Sequence, residues 1–490
     1  MKRKNIYIKT AIVTLLVTVG SVGCKKITNI NESPNNPALE KATPQVLFPS
    51  AVLSTAGRVG GELAIIGNIW SQFYAQNNVS SQYRDIDSYN LQRQDRNGSY
   101  NELFAGALSD YQLTITQAKA QGLNNYLLFA TLMKAYTYQV LVDLYDKVPY
   151  TEALQGESNK QPKFDDGYAI YTSLLAEIDA ALAASASADD LITEEKKIDF
   201  VFNGEIAKWR LFANTLKLKM YLRMVNAKPA EAEAGIKKLY ADGAEFLTED
   251  AGIIDIYTDA PDLGNPMYEY NIRRLNTTTN LKASKTFVTW LADNNDGRKL
   301  AYFNTATPVG IEQGDFNSTA TTAFTNAYQQ STDPVLFFSA AESYFMQAEA
   351  RLRYFNGAGA EDLFDTGVEA AFAQYDLAAP AKTGVYKYPT AGNLQDKLKA
   401  IIIQKWASLP GSHALEAFFE QERTGYPETT TKYTTDPGYI GGQWVYSKGG
   451  VTGGRLPKRL VYPDSERSKN PNTPAEVPIT TPVWWGLPNL

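Results

Sequence analysis

A single histidine, His413, and a single cysteine, Cys24, bound the chemistry open to this chain. Metal sites built on imidazole or thiolate need several such ligands, so neither a metal site nor a cofactor is expected. A Ser-His-Asp arrangement would rest on His413 alone, which reads as a helix-start or core residue. No catalytic residue is assigned. Carboxylates are plentiful, and Glu342 and Glu349 stand seven apart on one predicted helix. That spacing sets them on one face, about 10 Å apart by helix rise. A glycosidase places its two carboxylates across a cleft, so a structural role is the better reading.

Non-covalent recognition is better represented. The chain holds 30 tyrosines and 7 tryptophans, and several gather with amides in loop-like stretches. Trp70 and Tyr74 lead into Asn77, Asn78, Tyr83, Asp87 and Tyr89, while Tyr268, Tyr270, Asn271 and Trp290 lie in an irregular middle region. Aromatic faces stack on the apolar faces of sugar rings, and Asn, Gln and Asp bond hydroxyls. These are the candidate ligand contacts. Trp484 and Trp485 are read as packing or as a partner contact in equal measure.

These side chains need a scaffold. Hydrophobic content of 44% and charged content of 20% are those of a folded protein. The formal net charge is −6; without the first 23 residues, 43 basic groups face 53 acidic ones. Such a surface repels phosphate backbones, and no basic patch appears, so no nucleic-acid partner is expected.

Residues 1–23 read as a secretory signal: four early positive charges, then the apolar run Thr10–Val22. Cys24 follows Ser21-Val22-Gly23, an arrangement similar to a bacterial lipobox, with Ser21 in place of the usual apolar residue. The thiol would then carry a lipid, palmitate among its acyl chains, and hold the protein to a membrane. Residues 24–49 read as an Asn- and Pro-rich tether.

Residues 50–490 are expected to form one mostly α-helical domain, with helix pairs of tetratricopeptide type, few short strands and irregular insertions at about 250–335 and 425–490. Asn124–Tyr145 is apolar on nearly every side, yet Lys134, Gln139 and its tyrosines favour a buried core helix over a membrane span. Glu205–Met224 is amphipathic, with Trp209, Phe212, Leu216 and Met220 on one face. Another helix is expected to open at Asp333-Pro334 and run through Phe337 and Ala341 to Leu352, with Ala360–Tyr375 as its returning partner. No strict 34-residue period is present.

Seven segments, in order, resemble the SusD/RagB superfamily, in its branch of starch-binding proteins associating with the outer membrane. They are INESPNNP (Ile30–Pro37), VDLYDKVPYTEAL (Val142–Leu154), DFVFNGEIAKWRLFANTLKLKMYLRM (Asp199–Met224), AAESYFMQAEARLR (Ala340–Arg353), IIQKWASL (Ile402–Leu409), ERTGYP (Glu422–Pro427) and GRLPKRLVYPDSER (Gly454–Arg467). Glu422 departs from the pattern, which often has a second arginine before Arg423, and so places a local ion-pair network in question.

The resemblance implies a non-catalytic nutrient-binding lipoprotein at the cell outer membrane, facing outward. It would cap a SusC-like TonB-dependent transporter and hold an oligosaccharide, or sometimes a peptide, for import. Two alternatives stay open from the residues themselves: a helical glycoside hydrolase or lyase, and a tetratricopeptide scaffold that binds protein only.

Overall fold

The computed structural model describes residues 42–320 and 323–488. Cys24, the signal-like segment and most of the expected tether lie outside the described residues. Helix α1 (Pro44–Val59) already begins inside the stretch read as tether. Proline suits a first helical turn, and Phe48, Ala51, Val52 and Ala56 give this segment an inward apolar stripe.

About 49% of the chain is helical. Helix α2 (Glu62–Trp70) follows α1 directly. A widened π-type stretch, Leu103–Leu108, runs into α3 (Ser109–Gln121), and Gly122 in the left-handed region turns the chain into α4 (Asn124–Tyr145). Helices α1, α3, α5 (Gly167–Ala184) and α6 (Ile206–Met224) all pack on α4. That surround explains why α4 is apolar on nearly every side. Its one buried cation, Lys134, meets Glu177 at 3.1 Å. Among the described residues no helix is long and apolar enough to cross a membrane.

Helix α7 (Pro229–Ala241) returns along α6. Beyond the irregular middle, which holds α8 (Lys285–Asp293), come α9 (Ala340–Tyr354), α10 (Ala360–Ala373), α11 (Leu394–Ala407) and α12 (Ala414–Thr424). The pair α9–α10 is the returning unit expected from the sequence, and α3–α4 and α6–α7 pair in the same way. A satellite core of Phe345, Phe364 and Ile401 joins α9, α10 and α11, and a main core fills the rest.

Among the described residues, strands come only as short pairs. β1 (Tyr74–Gln76) with β5 (Leu281–Ala283), β2 (Lys147–Pro149) with β3 (Phe164–Asp166), and β4 (Ala251–Ile253) with β6 (Val335–Phe338) are antiparallel; β7 (Thr429–Thr430) and β8 (Trp444–Val445) run parallel. Strand β6 corrects the expected helix start at Asp333-Pro334. Val335-Leu336-Phe337-Phe338 is β-branched and aromatic, and the helix opens only after Ser339, whose Oγ accepts the Glu342 N–H at 3.1 Å.

One buried ion network ties five helices together. Asp143 of α4 lies 3.2 Å from Arg223 of α6, which also meets Glu416 (2.6 Å) and Glu420 of α12. Lys219 of α6 pairs with Glu342 of α9 at 2.8 Å, and Lys405 of α11 lies 3.4 Å from Glu416 and from Glu420. Arg423 reaches Glu349 of α9 at 2.6 Å and Glu420 beside it. The paired acids of α9 are therefore counter-ions of the scaffold. His413, at the start of α12, places Nε2 2.6 Å from Glu342 and Nδ1 3.0 Å from the Leu336 carbonyl. Glutamate in place of arginine at position 422 leaves the network whole, because Arg223 and Arg423 carry it.

Two contacts between distant segments fix the packing. A Cβ on Gly67 of α2 would lie 2.4 Å from the Leu415 backbone nitrogen of α12. Gly67→Ala is thus expected to lose about 1–3 kcal/mol of stability by overpacking, read as a lower urea midpoint; an unchanged midpoint would show that the two helices part easily. The C-terminal segment straps back over α4. Leu460 N–H bonds the Leu144 carbonyl at 2.8 Å, the Tyr462 ring stacks 5.7 Å from Tyr145, and Trp485 Nε1 donates to Asp143 at 2.7 Å. Trp485 is fully buried, and Trp484 packs against Tyr171.

Candidate functional site

Burial sorts the candidate ligand contacts. Trp70 closes α2, not a loop, and its Nε1 donates to the Ile86 carbonyl at 3.1 Å. Trp290 lies within α8, against Phe287 and Trp406. Gly442 presses on its indole so closely that a Cβ would lie 2.6 Å away. Only 2% of Trp70 and 3% of Trp290 reach solvent, so neither ring shows a face. Both were placed in loops by composition; the hydrophobic demand of the core drew them in.

The polar candidates join segments. Asn77 Nδ2 donates to the Thr279 carbonyl at 2.8 Å, beside the β1–β5 ladder, and Asn78 Nδ2 donates to the Ser318 carbonyl at 3.1 Å. Asp87 is buried and accepts the Gln76 N–H (2.9 Å), the Gly314 N–H (3.1 Å) and Gln313 Nε2 (3.3 Å). Burial outweighs these bonds and pushes its carboxyl up to about 7. Asn271 Nδ2 donates to Gln329 at 3.1 Å. Tyr83 and Tyr89 are buried, Tyr89 against Tyr446. Tyr268 and Tyr270 are half-buried, each under an arginine: Arg273 lies 5.4 Å over the first ring and Arg274 5.7 Å over the second.

Two of the candidates face cavities. Tyr270 helps line a cavity of about 560 Å³ with Arg58 and Arg274. Tyr74 lines another of about 360 Å³, where the irregular middle meets the ends of α10 and α11. There the chain brings together Tyr74, Tyr302, Tyr328, Tyr375, Gln374 and Asp333.

The geometry of this tyrosine-lined cavity is set from below. Strand pairing with β5 holds Tyr74 in place. Tyr302 donates its hydroxyl to the Ala407 carbonyl at 2.9 Å and meets the Tyr375 ring edge-on at 5.3 Å. Tyr328, 38% exposed, stands at the mouth. The Tyr74 hydroxyl makes no hydrogen bond among the described residues, and Gln374 Oε1 is buried without a partner there. Burial raises the Tyr74 phenol, with smaller contributions from Tyr375 and Asp333, and raises the Asp333 carboxyl although Asp333 accepts the Gln330 N–H at 2.8 Å. Flat rings, an idle hydroxyl and an idle amide oxygen in a pocket of this size fit a small polyhydroxylated ligand.

Tyr302, Tyr328 and Tyr375 were not singled out by sequence. The run NAYQQSTDP from Asn326 to Pro334 carries a signal of the same kind as the chosen stretches. Tyr375, just past the end of α10, carries none. Among the described residues no group of three or more His, Cys, Asp or Glu is placed to hold a metal ion.

Comparison with known proteins bears on this cavity through the fold. A family model described as starch-binding associating with outer membrane matches residues 34–463. A chitin-binding SusD homologue from Flavobacterium johnsoniae superposes with a TM-score of 0.71 at 19% identity, over 89% of this chain and 98% of its own. A SusD homologue from Bacteroides uniformis gives 0.71 at 20%, over 90% and 99%. A SusD-like protein from Bacteroides thetaiotaomicron gives 0.69 at 19%, over 89% and 98%. At these identities the likeness establishes the fold. A search of curated proteins finds no match.

Proposed function

Since the chain belongs to the family of starch-binding proteins associating with the outer membrane, we propose that it is a carbohydrate-binding protein of nutrient uptake which holds an oligosaccharide in the tyrosine-lined cavity. The observation that carries this reading is the convergence of four tyrosines in one cavity with the Tyr74 hydroxyl and the Gln374 amide oxygen, neither of which has a hydrogen-bond partner among the described residues. In the same reading the protein binds without cleaving, is anchored through a lipid on Cys24 on the outer face of the outer membrane, and caps a SusC-like TonB-dependent transporter that imports the ligand.

Binding is tested by calorimetric titration of the mature chain with neutral oligosaccharides. Tyr328→Ala removes one stacking ring from an exposed position. At about 0.5–1.5 kcal/mol for an aromatic contact, affinity is expected to fall about 2- to 10-fold with the fold unchanged. Equal affinity of the two proteins would remove the cavity from the reading. Release of reducing ends from the same sugars would overturn the non-catalytic role. Retention of the Cys24→Ala variant in the membrane fraction would count against the anchor, and failure of a large barrel protein to co-purify would count against the transporter.

A further inference from the structure

A second cavity, of about 710 Å³, lies between the end of α12, β7, β8 and the 454–458 segment, away from the tyrosine-lined one. Its charge differs from that of the chain. The protein carries more acidic than basic groups, yet no residue lining this cavity is acidic, and Lys458 and Arg455 are both part of its wall.

Lys458 is the unusual residue. It is only 5% exposed, and its ammonium has neither a hydrogen bond nor a carboxylate within ion-pair distance among the described residues. A buried unpaired charge is costly and persists where something completes it. The nearest acid of consequence is Glu422, and neither of its carboxylate oxygens has a hydrogen-bond partner. Burial pushes Glu422 well up and Lys458 down, each against the other's charge. Glu422 makes no ion pair with Lys458 among the described residues, so it does not serve as the counter-ion.

Two further donors stand idle in the same wall. Gln421 and Trp444 are buried, and each keeps a side-chain N–H without an acceptor among the described residues. Arg455 is exposed at the rim and makes no ion pair among them. Thr430 and the half-buried Tyr433 supply hydroxyls and a ring. Cations and N–H donors without a lining carboxylate match an acceptor-rich ligand; hydroxyls and an aromatic face match a sugar.

We propose that this cavity is a second ligand site, which binds an anionic sugar unit with its carboxylate or sulfate group between Lys458 and Arg455. The site does not depend on the tyrosine-lined cavity. An acidic polysaccharide segment would be held here by charge, and a neutral one would not.

The mature chain is titrated with tetragalacturonate and with a chondroitin sulfate tetrasaccharide, the carboxylated-only and the sulfated probe, and with maltotetraose as the neutral comparison. At least one acidic probe is expected to bind, with affinity lowered tenfold or more in Lys458→Met and in Arg455→Gln, and unchanged in Tyr328→Ala. Arg455 is exposed, so its variant tests the site even if Lys458→Met folds poorly. Binding of tetragalacturonate alone assigns a carboxylate site, and binding of the sulfated probe alone a sulfate site. Failure of both acidic probes to bind, or binding indifferent to both substitutions, overturns the proposal. Weaker maltotetraose binding in Tyr328→Ala with acidic binding unchanged separates the two cavities.

Discussion

Replacing Arg423 with methionine is expected to lower the unfolding free energy of the mature chain by about 3–5 kcal/mol, the usual cost of removing one partner of a buried ion pair. The guanidinium touches Glu349 with Nη1 and Nη2 at 2.7 and 2.6 Å, and it also meets Glu420. All three groups are almost completely buried. Arg353 would remain beside Glu349, and Lys405 and Arg223 beside Glu420. Those three partners limit the loss but do not cancel it, because none supplies the two-pronged contact that Arg423 makes. Lysine in place of arginine keeps the charge and loses the fork, so Arg423→Lys is expected to fall between wild type and Arg423→Met. Urea unfolding of the three proteins gives the order. A loss below about 1 kcal/mol for methionine, the level of a surface pair, would show that water reaches these groups.

The second large effect is a pair of opposite signs two residues apart. Glu420 is held well below the usual carboxylate range by Arg423, Lys405 and Arg223, despite the burial that opposes them. A depressed carboxyl contributes stability above its unfolded value, near pH 4.5, and that contribution is lost as pH falls through the folded value. Glu420→Gln is therefore expected to be less stable than wild type at pH 7 and to approach it in acid. Glu422 is the reverse case. Burial raises it well above the usual range, so its ionisation in the folded state works against folding as pH rises. Both of its oxygens lack partners, and an unsatisfied buried polar group costs about 1–3 kcal/mol. Glu422→Gln is expected to raise the melting temperature at pH 8 and to have no advantage near pH 4. Melting curves from pH 2 to 8 compare the three proteins. Destabilisation of both variants at pH 8 would mean that Glu422 has found a counter-ion.

The two residues also show what a sequence can and cannot reveal. Seven motifs and the helical spacing of Trp209, Phe212, Leu216 and Met220 were enough for the family and the helical scaffold, because burial of an apolar stripe is a local, periodic demand. The same logic read α4 as a core helix. It failed at Val335–Phe338, where apolar residues suit a strand as well as a helix and only pairing with β4 decides. It also failed to tell displayed aromatics from buried ones. Trp70, Tyr83 and Trp290 sit in polar stretches as a surface ring would, yet all three are buried, Trp70 against Phe418 and Trp290 against Trp406. The tyrosine-lined cavity was legible only at Tyr74, since Tyr302, Tyr328 and Tyr375 come from separate segments that meet through tertiary packing. Lys458 gave no signal at all: an unpaired cation is defined by what is missing around it.

The strap across α4 sets the order in which this molecule is able to finish itself. Asp143 and Trp485, joined by a hydrogen bond, stand 342 residues apart. At about 5–20 residues per second of synthesis, roughly 17–70 s separate the appearance of the two. During that interval the end of α4, apolar on nearly every side, has neither Tyr462 nor Trp485 to cover it. Contacts of such span also slow the search for the native state, since loop closure precedes any gain from pairing. A polypeptide made this way depends on being kept from premature association until its last thirty or so residues arrive, and a chain cut short late in the message would be left with the end of α4 uncovered.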